Sequence, residues 1–349
     1  MGLSMGVGRV GRGPSVADSA SASSTRVRLQ DVARAAGVAP STASRAFTQP
    51  ERVNFETVET VMRAAAELGY RRRPAGAAPT RSLARTIHLM VQDISNPFFA
   101  DLVKGAVSQA RAAGYVVMLG DAEEASTVER VLIERVPPAV DGLIAAARWT
   151  SDSELQELAR VKPLVLFNRE VPGISSVVAG TGDSSRRLLE HLHAQGHRRV
   201  VYCAGPRNSW TNVQRLQALE AATEELGVKL TTVGPFLPVL DQGATAAGIA
   251  MAHHPTAIIA FNDQLAIGII AHLQSQGLRI PQHVSVAGYD NTYGSSFVRP
   301  GLTCMDAPVE PAGRTAVDLL MAQLRGDRTP HQVRMEATVK VRGSTGPPA

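Results

Sequence analysis

From Thr86 onward, short apolar runs alternate with stretches of helical periodicity, and this alternation restricts the fold of the 349-residue chain more than any other feature. The runs are "TIHLMV", "YVVMLG", "DGLIAAA", "PLVLFN", "RVVYCA", "TAIIAF", "HVSVAGYD" and "LTCMD". Between them the pattern predicts helices at 97–113, 183–195, 212–226, 263–276 and 310–325. Strands separated by helices pair in parallel, because a parallel pair needs a crossover connection. The quoted runs are too many for one crossover sheet of about six strands. Two doubly wound lobes are therefore expected, with a ligand cleft facing the strand C-terminal ends.

The first 85 residues differ in kind. They hold thirteen arginines, no lysine and six carboxylates, a net +7, whereas the remainder of the chain sums to −2. A basic head on a near-neutral body points to a polyanionic partner for the head alone. "LQDVARAAGVAPSTASRAF" opens with a short helix whose apolar side is Leu29, Val32, Ala33 and Ala36, stopped by Gly37. A second helix follows a turn of about three residues, with Pro40 near its first position. It buries Ala43, Ala46 and Phe47 and leaves Ser41, Thr42, Ser44 and Arg45 outward. The third helix is capped by Asn54, with Glu56 and Glu59 in its first turn and Val58, Val61, Met62, Ala65 and Leu68 as its stripe. This is helix-turn-helix spacing. Arg45 has the donors to grip guanine or hold a phosphate, and Ser41 and Thr42 can reach base edges or phosphates. From spacing alone, a solvated polar face fits equally well.

Other chemistry finds little support. The match of Gly6, Gly8 and Gly11 to G-x-G-x-x-G follows no strand and opens no helix. Residues 1–26 contain no apolar stretch of signal-peptide length and read as a disordered tail, and no run of eighteen apolar residues suggests a membrane span. A cytoplasmic protein is expected. His191, His193, His197, His253 and His254 lack a metal-site motif, and Cys203 and Cys304 read as reduced core thiols, so no metal or cofactor is expected. Neither a G-x-S-x-G elbow nor a Walker loop is present, which argues against an enzyme.

"DVARAAGVAPSTASRAF" followed by "ERVNFETVETVMRAAAELGYR" resembles the head of the lactose-repressor (LacI/GalR) family of bacterial transcription regulators. The family pattern is met at Asp31, Val32, Ala33, Ala36, Gly37, Val38, Thr42, Ser44 and Arg45, with Ala39 and Ala43 as departures. The resemblance implies base reading by Pro40, Ser41 and Arg45, and phosphate holding by Thr42, Ser44, Asn54 and Thr57. Pro40 has no hydrogen bond to offer, so it can read only by apolar contact. "DISNPFF", "FNR", "AGP", "FNDQLAIG", "VAGYDN" and "VRGST" extend the resemblance over about 320 residues, to an effector domain similar to periplasmic sugar-binding proteins. Its pocket roles fall on Phe98, Phe99, Asn168, Arg215, Asn262 and Asp290, with Trp210 and Asn212 as neighbours one to two helical turns before Arg215. An arginine, a carboxylate and amides suit vicinal hydroxyls, and an aromatic plate suits the C–H face of a sugar. Core packing, capping and turn roles are the alternatives for these residues. Asn168 stands where the family usually has Asp, and Ala218 where it commonly has Gly.

The expected fold is thus a small all-α helix-turn-helix head joined to a two-lobed, periplasmic-binding-protein-like α/β domain with parallel sheets. The expected division is a tail at 1–26, a head at 27–70, a hinge at 71–86 and an effector and dimerisation domain at 87–349. Within that domain, lobe one covers about 87–179 plus 308–327, and lobe two about 180–307 plus 328–345. The family's hinge forms a short helix whose leucine wedges into the minor groove. Here the wedge position is Pro79 in ungapped alignment, or Leu83 if "PTRSLA" is the helix, and Arg71, Arg72 and Arg73 sit where phosphates pass. The implied function is a homodimeric repressor on a roughly palindromic operator, controlled by a small-molecule effector, most simply a carbohydrate. A corepressor-type regulator answering a nucleobase, and a pure solute binder without DNA function, are the alternatives.

Overall fold

The computed structural model describes residues 27–68, 70, 84–135, 140–180 and 182–349. The tail at 1–26 and the hinge candidates Arg71, Arg72, Arg73, Pro79 and Leu83 lie outside the described residues. The chain divides into two compact units, Met1–Ser82 and Leu83–Ala349.

In the first unit, α1 (Leu29–Ala35), α2 (Pro40–Thr48) and α3 (Phe55–Glu67) pack around Val32, Ala33, Ala43, Ala46, Val61, Ala64 and Ala65. Asp31 accepts the Arg28 N–H at 2.8 Å and closes the start of α1. Gly37 ends that helix at φ 66, a left-handed conformation that a β-carbon would strain. Small alanines on the inner face of α2 allow close approach of the neighbouring helices. On α3 the stripe differs from the expected one: Ala64 is buried, while Met62 and Leu68 are exposed. Those two lie at the margin of a small bundle whose inner volume is filled by alanines.

The second unit holds two six-stranded sheets. The first half of the chain supplies β1 (Thr86–Val91), α4 (Pro97–Ala112), β2 (Val116–Asp121), α5 (Ser126–Glu134), β3 (Gly142–Ala145), α6 (Asp152–Val161), β4 (Leu164–Phe167) and β5 (Ser175–Ala179). The second half supplies α7 (Gly182–Ala194), β6 (Arg199–Cys203), α8 (Trp210–Leu226), β7 (Lys229–Val233), α9 (Gly243–Met251), β8 (Ala257–Ala260), α10 (Asp263–Ser275), β9 (Ser285–Tyr289), α11 (Gly294–Phe297) and β10 (Thr303–Asp306). Then come α12 (Val309–Leu324), β11 (Gln332–Met335) and β12 (Thr338–Lys340).

The strand orders are β11-β5-β4-β3-β1-β2 and β12-β10-β9-β8-β6-β7. Every pairing is parallel except β10 with β12. The near-continuous apolar character of the inner strands follows, since helices cover both faces. The chain passes between the halves three times: between β5 and α7, between β10 and α12, and between β11 and β12. One expected boundary is corrected here. The segment 328–345 does not belong wholly to lobe two, because β11 pairs with β5 of the first sheet in the register Val333 to Val177. Cys203 and Cys304 are buried free thiols in the second half, and burial pushes each up to about 12.

Candidate functional site

Parallel strands end with their free backbone groups and loop side chains at one edge of the sheet, which is where a doubly wound fold builds a ligand site. Both halves do so here, around one shared cleft. From the first half come Gln92 after β1, Glu124 after β2, Ala146 to Arg148 after β3 and Asn168 after β4. The second half answers with Ser209 to Thr211 after β6, Pro238 after β7, Phe261 and Asn262 after β8 and Asp290 after β9.

Seven of the eight side chains expected in the pocket line this cleft: Phe98, Phe99, Asn168, Trp210, Arg215, Asn262 and Asp290. Phe98 sits at the base of one wall, edge-on to Phe99 at 5.3 Å between ring centroids and tilted against Phe167 at 6.0 Å. Asn168 adopts φ 52, and its Oδ1 accepts the Ala179 N–H at 2.8 Å. That left-handed turn is one that asparagine tolerates better than most side chains. Asn262 caps α10 through the Leu265 N–H at 3.0 Å and donates to the Pro238 carbonyl at 2.9 Å, so it holds two loops together while facing the cleft.

Asn212 is the exception and corrects the expectation. Its Oδ1 accepts from the Tyr202 hydroxyl and the Gly205 N–H, each at 2.9 Å, and its side chain is buried in the lobe instead of forming the cleft wall. In α8 it lies one turn before Arg215 and near the same helical face, but its amide is already taken by Tyr202 and Gly205 within the lobe.

Arg215 is the anchor of the second wall. Its guanidinium lies 3.9 Å from the Tyr289 ring centroid and 5.0 Å from that of Phe261, donates to the Phe261 carbonyl and pairs with Asp290 at 3.6 Å. Asp290 itself sits at φ 104 and accepts the Asp263 N–H at the start of α10. Burial raises the Asp290 carboxyl above the usual range, and Arg215 opposes that rise. Behind it, Asp263 is fully buried; one oxygen accepts from the Thr292 N–H at 2.9 Å and from the Ser295 hydroxyl. Burial, and then the Asp290 charge, raise Asp263 as well.

Sequence reasoning missed Gln92, Glu124 and Arg148, which bring a second ion pair to the first wall. The loops after β2 and β3 have no periodicity, and no quoted motif covers them. The one available signal was their position just beyond two apolar runs.

In the head, α2 starts with Pro40 at its first turn and carries no carboxylate there. Pro40, Ser41 and Arg45 are exposed and Thr42 and Ser44 half-buried, while Ala43 and Ala46 face inward. Arg45 Nε lies 3.3 Å from the Ser41 carbonyl. Asn54 caps α3 by accepting the Glu56 N–H at 3.0 Å, with Thr57 half-buried beside it. Phe55, exposed by 79% at the start of α3, is an apolar side chain that sequence reasoning did not single out.

The HTH-type transcriptional repressor CytR of Escherichia coli K12 is 30% identical over 330 residues, covering 92% of this chain and 97% of the repressor. The chain belongs to the LacI family of bacterial regulatory proteins. Residues 28–73 match that family's head, and residues 189–345 match a periplasmic binding protein-like domain. Among solved structures, the transcriptional regulator CelR in complex with cellobiose superposes with a TM-score of 0.68 at 27% identity, over 92% of this chain and 100% of CelR. A lac repressor dimer bound to operator and an anti-inducer gives 0.69 at 26% identity, over 92% and 100% of the two chains. As a LacI-family chain, this protein combines a helix-turn-helix head with a two-sheet, periplasmic-binding-like body.

Proposed function

We propose that this chain is a DNA-binding transcriptional repressor whose operator affinity is set by a small polyhydroxylated effector held between the two sheets. The observation that carries the reading is the cleft itself. Equivalent strand ends of both halves supply its walls, and each wall presents a paired guanidinium and carboxylate beside aromatic rings. Such a site holds a ligand only when both halves contribute, so binding and the arrangement of the halves are linked. The CelR complex with cellobiose supports a sugar-like effector here. Phe98, Phe99 and Trp210 supply apolar surface for C–H faces, and Arg215, Asp290, Asn168 and Asn262 supply paired donors and acceptors for hydroxyls.

The DNA roles proposed for the head are base reading by Pro40, Ser41 and Arg45 and phosphate contacts by Thr42, Ser44, Asn54 and Thr57. In the hinge, Arg71, Arg72 and Arg73 would track phosphates, and either Pro79 or Leu83 would wedge the minor groove. A second copy of the chain is the expected partner, since one short helix reads few base pairs and two-fold symmetry matches a palindromic site. The exposed side chains of Leu240, Tyr293 and Phe297, which border one apolar groove of the body, suit that second copy. The DNA partner would place the protein with the nucleoid in the cytoplasm, without enzymatic activity. A gel shift with the genomic region flanking the gene tests the reading. A discrete complex that weakens steeply with salt is expected, and absence of any specific complex would sink it.

A further inference from the structure

The first wall of the cleft is built around charge with unusual care. Glu124 accepts from both terminal nitrogens of Arg148, the longer contact being 3.2 Å, and each side chain is only 10% exposed. Glu123 and Glu124 both stand at φ 51, a left-handed backbone that costs free energy in a non-glycine residue and persists only where its surroundings enforce it. Asp121 does so, accepting the N–H groups of Glu123 at 3.1 Å and Ile94 at 3.3 Å.

The Arg148 loop is fixed from behind by Glu129, a fully buried carboxylate. It accepts the backbone N–H groups of Arg148, Trp149 and Thr150 at 2.8–2.9 Å and the Thr150 hydroxyl at 2.7 Å. Gln92 Nε2 also donates to Glu129, at 2.9 Å, and to the Ala146 carbonyl. Both of those partners are acceptors, so the amide can point only one way. That orientation leaves Gln92 Oε1 buried with no protein partner among the described residues, in a side chain that lines the cleft.

We propose that Glu124 and Arg148 make this cleft selective for charge, admitting an uncharged ligand with adjacent hydroxyl groups and turning away phosphate- or carboxylate-bearing analogues. The inference rests on the reading of the cleft as an effector site and names the class of effector. Arg148 and Arg215 each already face a carboxylate, so among the described residues that line the cleft an anionic ligand meets no free cation. To pair with Arg148 it would have to displace Glu124, leaving a desolvated carboxylate alone. A hydroxyl instead donates to Glu124 while its oxygen accepts from Arg148. A bare phosphate or carboxylate oxygen has no proton to give that acceptor.

Inorganic phosphate is the probe, and thermal unfolding of the full chain is the readout. The native protein should unfold at the same temperature in phosphate and in chloride of equal ionic strength. E124Q frees Arg148, and phosphate should then give a saturable rise in Tm of roughly 2–4 °C, lost again in the double variant E124Q/R148Q. A phosphate-induced rise in the native protein that R148Q abolishes would overturn the proposal, as would a folded E124Q that does not respond. Should E124Q fail to fold, R148A provides the reciprocal test. Millimolar guanidinium chloride should raise its Tm relative to sodium chloride, and no rise would contradict the pairing. Gel shifts on the same preparations read operator binding separately, so failure of the regulator reading remains distinct from failure of charge selection.

Discussion

At the scale of single residues, Arg45 and Asp263 separate the two sites. Arg45 is exposed on α2, beyond the packed alanines, so its loss removes no core contact. R45A should therefore abolish specific operator binding, while its Tm and its stabilisation by cleft ligands stay those of the native protein; retained operator affinity would refute the role. Asp263 makes the opposite prediction. Its carboxyl is raised by burial first and by Asp290 second, so the fold favours its protonated form. That stabilisation is complete in acid, below the ordinary carboxylate range, and fades as pH climbs through the raised value. D263N removes the titration and keeps the shape, so the difference in Tm between variant and native protein should grow in the variant's favour from about pH 5 to pH 8. A difference that stays flat with pH would contradict it. Arg215 and Asp290 were named by the family resemblance of the motifs around them, and both line the cleft. Asn212 misled because a shared helical face with Arg215 does not show that its amide is consumed inside the lobe by Tyr202 and Gly205, and Glu124 and Arg148 were invisible because they meet only across two loops.

Among elements, the apolar runs of the inner strands announced themselves, and the edges and crossings did not. "TIHLMV" became β1 with its ends unchanged, as every position but the first is buried. β7, "KLTTV", is an edge strand with a largely open face and so lacks an apolar run. "GATAAGIAM" forms α9 from residues that are nearly all apolar or small, leaving no stripe of helical period to read. β11 and β12 carry half-exposed side chains, and their division between two sheets depends on partners far away in the chain. The close crossing of α4 and α12 was also hidden. A β-carbon on Gly313 would meet the Leu102 carbonyl, and one on Gly105 the Glu310 carbonyl. G313A should thus destabilise by about 1–3 kcal/mol although alanine is the better helix former. In α9, G248A meets nothing within 4 Å and should stabilise by about 0.5–1 kcal/mol. Denaturant titration of the pair checks the opposite signs, and equal signs would mean that packing is not what governs these glycines.

On the scale of the whole molecule, charge and architecture divide the labour. The positive excess lies in the first 85 residues, and the paired charges of the body cancel around a cleft. A basic head alone would bind any duplex, and a cleft alone would only store a ligand. What joins them in the LacI-family reading is a coupling free energy between the two sites, and coupling is measurable without knowing its path. The direct test is operator affinity, by fluorescence anisotropy of the full chain on its flanking DNA, with and without each neutral sugar or nucleoside that raises its Tm. Coupled sites should shift the affinity roughly 5- to 150-fold in one direction. An operator affinity unchanged at saturating ligand would contradict the account.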